Sequence, residues 1–95
     1  MNWKRPDIQK LIDAVLVLRT PAEARHFLRD LMTESEIEEF ARRLRAAELL
    51  SQKVPYSKIV EETGLSSTTV ARVARWLKSE GGGYRRILHR LSSEA

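Results

Sequence analysis

Cysteine is absent from the 95 residues, so neither a disulfide nor a thiolate metal site is available. Aromatic residues make up only 6%, and strictly alternating Val/Ile runs are missing. A sheet is therefore not expected; every periodic segment favours helix. No apolar run approaches the ~18 residues of a membrane span, because Asp7, Lys10 and Asp13 interrupt the first apolar stretch. The same charges argue against a secretory leader, and the expected location is the cytoplasm. His26 and His89 are isolated, and no Ser/His/Asp spacing, phosphate-cradling loop or metal-ligand cluster accompanies them. An enzyme is not expected, and neither is a metal or cofactor. A chain this short forms one domain and buries only about 60–65% of its unfolded surface, so it gains by burying more in an oligomer.

Charge is present in plenty, and its placement says more than its sum. Residues 1–50 carry nine Lys/Arg and nine Asp/Glu, whereas residues 51–95 carry eight against four, which accounts for the whole net charge of +4. The basic excess lies with the segment Tyr56–Leu77, YSKIVEETGLSSTTVARVARWL, which reads as a helix-turn-helix. Tyr56 to Glu62 forms the first helix, with Ile59 and Val60 apolar. Thr63-Gly64-Leu65-Ser66 is the turn: Gly64 supplies positive φ, Leu65 plugs the space between the helices, and Ser66 caps the second. Val70, Val73 and Leu77 recur at helical spacing and face inward. The opposite face carries Ser67, Thr68, Ala71, Arg72 and Arg75. Small side chains let a helix approach base edges, and Arg offers a bidentate donor. An ordinary αα-corner would also present a solvated Ser/Thr/Arg face. The joint spacing of Gly64, Leu65, Val70 and Val73, together with the basic second half, favours double-stranded DNA as partner.

Along the rest of the chain, Met1 to Arg5 is a basic leader containing Trp3. Pro6 opens a helix to about Arg19 whose Ile8, Leu11, Ile12, Val15, Leu16 and Leu18 form an arc wide enough to be buried on two sides. Thr20-Pro21 caps and starts a second helix lined by Ala24, Phe27, Leu28 and Leu31, with Glu23 in its first turn. Thr33 and Glu36 form a capping box for a third, whose apolar stripe is Ile37, Phe40, Ala41, Leu44, Ala47 and Leu50. Its charges run from Glu34, Glu36, Glu38 and Glu39 to Arg42, Arg43 and Arg45, as the helix dipole and i,i+4 pairing prefer. Ser51 to Pro55 connects it to the helix-turn-helix. Gly81-Gly82-Gly83 interrupts regular structure, and Tyr84, Ile87, Leu88 and Leu91 mark a last helix over about 83–92, with residues 92–95 fraying.

The stretches LMTESEIEEFARRLRAAELL and EETGLSSTTVARV, together with the helix order, resemble the tryptophan repressor family, and within it the YerC/YecD branch. The resemblance implies an all-α chain of about six helices forming an intertwined homodimer. Residues 6–50 would supply dimerisation helices, 55–78 the helix-turn-helix and 83–92 a C-terminal helix. It implies a repressor reading a palindromic operator, with Tyr56, Ser57, Lys58, Ser66, Ser67, Thr68, Ala71, Arg72 and Arg75 at the DNA. It further implies an effector pocket from Thr33, Arg42 or Arg43, Arg72, Val73 and Trp76, taking L-tryptophan as corepressor. Val73 and Trp76 stand where the family has glycine and serine, and their added volume is expected to exclude an indole. Val60 replaces the usual alanine at a close interhelix approach. The alternative function is a dimeric helical module that binds protein without specific DNA recognition.

Overall fold

The structure, a computed structural model, describes residues 1–94, and its elements are six helices with no strand among the described residues. They are α1 (Pro6–Leu16), α2 (Pro21–Leu31), α3 (Glu34–Ser51), α4 (Tyr56–Thr63), α5 (Ser67–Leu77) and α6 (Gly83–Glu94). The chain divides into two compact units, Met1–Glu34 and the part from Ser35 on.

In the first unit α1 starts at Pro6, and the Asp7 carboxylate accepts from the Arg5 guanidinium at 2.7 Å and from the Ile8 N–H at 2.9 Å. The helix stops at Leu16, three residues short of the expected end. The residue before a proline is driven out of the α region, and Thr20 accordingly sits at φ −134, ψ 157. The chain must leave the helix before it reaches Thr20. The Thr20 hydroxyl then accepts from the Glu23 N–H at 3.1 Å, and the Glu23 carboxylate accepts from the Arg19 N–H at 3.1 Å. Within one chain the apolar arc of α1 is left largely open. Leu11, Ile12, Val15 and Leu16 are exposed, Leu16 by 75%, and none of residues 1–34 is buried.

The second unit holds the core: Ala46, Ala47 and Leu49 of α3, Ile59 of α4, Leu65 of the turn, and Val70 and Val73 of α5, with Leu50, Val54, Val60, Tyr84 and Leu88 packed around them. Only the C-terminal half of α3 contributes. The stripe expected along its whole length holds at Ala47 and Leu50, but the core takes Ala46 and Leu49 as well and leaves Phe40 and Leu44 exposed. The small side chains of Ala46 and Ala47 are fully enclosed in this core.

Gly64 ends α4 in the left-handed region at φ 74, ψ 4, and its N–H donates to the Val60 carbonyl at 2.9 Å. Helix α4 extends one residue past expectation because Thr63 is held inside it. The buried Thr63 hydroxyl donates to the Ile59 carbonyl at 2.7 Å and accepts from the Leu65 N–H at 3.3 Å. Gly82, buried at φ 65, turns the chain into α6, and Gly83 already belongs to that helix rather than to the linker. Residues 92–94 continue α6 instead of fraying, with the Ser92 hydroxyl donating to the His89 carbonyl at 2.9 Å; residue 95 lies outside the described residues.

Candidate nucleic-acid interface

Helix α5 owes its placement to its own first turn and to its buried face. Ser66 caps it, its hydroxyl accepting from the Thr69 N–H at 3.1 Å and bonding the Thr69 hydroxyl at 3.0 Å. Val70, Val73, Ala74 and Leu77 are buried. With that face fixed, helical geometry turns Ser67, Thr68, Ala71, Arg72 and Arg75 outward together, and all five are exposed. Among the described residues the hydroxyls of Ser67 and Thr68 have no hydrogen-bond partner, in contrast to those of Ser66 and Thr69. Tyr56, Ser57 and Lys58 are exposed on the first turn of α4. Ser66 is exposed too, but its hydroxyl serves the cap.

The charges divide by element. On α3, Arg42 faces Glu38 at 3.7 Å and Glu39 at 3.6 Å, Arg43 faces Glu39 at 3.6 Å, and Arg45 pairs with Glu48. Lys58, Arg72, Arg75 and Lys78 have no carboxylate within ion-pair distance among the described residues. Unpaired cations stand on other elements too, Lys10 and Arg25 among them, but both arginines of α5 are free whereas all three of α3 are paired.

The effector-pocket candidates of the second unit differ in their surroundings. The Arg43 guanidinium lies 5.5 Å from the Phe40 ring centroid, and its buried Nε finds no hydrogen-bond acceptor. The Glu39 carboxylate is near enough to Nε for charge attraction but too far for a hydrogen bond. Arg42 and Arg72 are exposed, and Thr33 belongs to the first unit. Val73 is 3% exposed and forms part of the core. Trp76 does not fill the space beside it. It is 60% exposed, at the edge of an open hollow of about 570 Å³ that Leu44, Tyr84 and Ile87 also line. Of the six pocket candidates, Trp76 alone lines this hollow.

Sequence reasoning did not find the hollow, nor the contacts at its edge. Arg85 donates to the Ser79 carbonyl at 2.7 Å, and the Ser79 hydroxyl donates to the Trp76 carbonyl at 2.7 Å, so the end of α5 and the start of α6 are tied across the glycines. The glycine run was the signal that pointed there. Among the described residues no group of His, Asp or Glu could hold a metal ion, and no helix is long and apolar enough to cross a membrane.

The capped helix-turn-helix with its exposed basic face places the chain among helix-turn-helix proteins, and the comparisons name the family. Residues 6–92 match the Trp repressor protein family, and the chain belongs to that family. Within it the similarity is to the YerC-like branch: the chain is 35% identical over 85 residues to YerC of Bacillus subtilis (strain 168), an uncharacterized protein, covering 90% of this chain and 82% of YerC. A TrpR-like protein from Eubacterium eligens ATCC 27750 superposes with a TM-score of 0.88 at 34% identity, over 95% of this chain and 93% of that one. A Staphylococcus aureus structure of the same fold superposes with a TM-score of 0.87 at 33% identity, over 97% and 95%.

Proposed function

We propose that this chain is a sequence-specific double-stranded DNA-binding regulator, a repressor that acts as a homodimer on a palindromic operator. The observation that carries the reading is the exposed face of α5, where two free hydroxyls and the Ala71 methyl sit beside two arginines that no carboxylate neutralises. Ser67, Thr68 and Ala71 approach base edges in the major groove, while Tyr56, Ser57, Lys58 and Arg75 meet phosphates and fix the register. Arg72 serves the DNA as well. Membership of the Trp repressor family supports DNA as the partner. The exposed apolar residues of α1, with Phe40, Leu44, Ile87 and Leu91, support a second copy of the chain as the cover they need. A two-fold dimer sets the recognition helices about 34 Å apart, one turn of DNA.

No L-tryptophan is needed in this reading. The side chain of Val73 takes up core space against α3 and α4, and Arg42 and Arg43 are engaged by Glu38 and Glu39. Calorimetric titration with L-tryptophan is expected to give no saturable heat in the micromolar range, and a saturable one would restore the corepressor.

A second reading, a helical module that binds protein, is favoured by the open apolar hollow beside Trp76. Selection of genomic fragments at about 0.1 M salt separates the two. Enrichment of a palindrome with half-sites one turn apart, weakened by Arg72→Ala and by added salt, supports the regulator. Failure to enrich any sequence, with salt-insensitive binding to a protein partner, supports the module.

A further inference from the structure

Resting on the DNA-binding reading, the chemistry of α5 narrows what the helix can read. Its exposed face carries no Asn or Gln, so the bidentate contact to adenine is missing, and no Asp or Glu, so the acceptor for the cytosine amino group is missing. Arg72 and Arg75, the bidentate donors on this face, stand in its second and third turns, whereas base contacts of a recognition helix come mainly from its N-terminal residues. Ahead of Arg72 the exposed face offers two hydroxyls and two methyls. Thr68 and Ala71 are three residues apart, so their methyl carbons lie side by side on the helix surface and form one small apolar spot.

The two adjacent threonines are used differently. Thr69 is half-buried, and its hydroxyl is held by Ser66. Thr68 is exposed and its hydroxyl makes no bond within the protein, so its side chain is free to turn its methyl toward a base. The major-groove feature that an apolar spot of this size recognises is the 5-methyl group of thymine. We propose that Thr68 and Ala71 determine specificity by jointly reading the 5-methyl group of a thymine in each half-site.

The test uses the full chain and the duplex recovered by genomic selection, resynthesised with deoxyuridine replacing each thymine in turn. One thymine per half-site is expected at which loss of the methyl lowers affinity about fourfold, the factor for exposing one methyl-sized group. Thr68→Ser removes the protein's methyl and keeps the hydroxyl, and in this variant the thymine-to-uracil ratio at that position should shrink toward one. Ala71→Gly should shrink the same ratio, with circular dichroism confirming that α5 persists despite the weaker helix propensity of glycine. Equal affinity for thymine and uracil at every position would overturn the proposal. So would a ratio that neither variant changes. If selection recovers no duplex at all, the DNA-binding reading fails first and this inference falls with it, an outcome separate from the other two.

Discussion

A methyl group added at Gly64 would meet no atom within 4 Å, so the effect of Gly64→Ala comes from the backbone alone. At φ 74 an L-residue is strained, and the substitution should lower unfolding free energy by about 1–2 kcal/mol without altering the helical signal, as read by urea denaturation. Ile59 is different. It is fully buried at the centre of the core, so Ile59→Ala opens a cavity and should cost about 2–5 kcal/mol in the same assay. Both residues were legible in the sequence because their reasons are local: a turn that needs positive φ, and an apolar position one turn before it. The early end of α1 was not read, although its cause is also local. Apolar periodicity through Leu18 outweighed the demand that Thr20-Pro21 makes on the residues before it.

Among the elements, α3 and α5 use arginine for opposite ends. The Glu39 pairs are only partly exposed, span three or four residues and have no short hydrogen bond, so Glu39→Gln should change stability by no more than about 0.5 kcal/mol. On α5 the arginines have no partner to lose, and Arg75→Ala should leave the melting temperature nearly unchanged. Its effect should appear in DNA binding, lowering affinity on all sequences alike and reducing the slope of log K against log salt by about one. Which α3 residues are buried was only half legible. Periodicity marks a stripe, but only the half that meets α4 and α5 becomes core, and spacing does not say where a neighbour begins and ends. The hollow beside Trp76 was illegible for a related reason: its lining comes from α3, α5, the glycine loop and α6, residues that no single window of sequence brings together.

For the whole molecule, the first unit is the feature with the widest consequence. Residues 1–34 form two helices, the second capped by Thr20, yet include no buried residue, whereas the core begins at Ala46. Helices of this length are marginal in water without packing, so α1 and α2 need cover that one chain does not supply. Sedimentation is expected to give about twice the 10.9 kDa of one chain, and Leu16→Asp should return the protein to a single copy. The melting temperature should rise with protein concentration, because whatever binds the folded state stabilises it by mass action. Abundance then becomes a control in its own right. If the competent form is the proposed dimer, halving expression removes more than half of it. If the chain is the dimeric regulator proposed above, its activity follows gene dosage with a threshold.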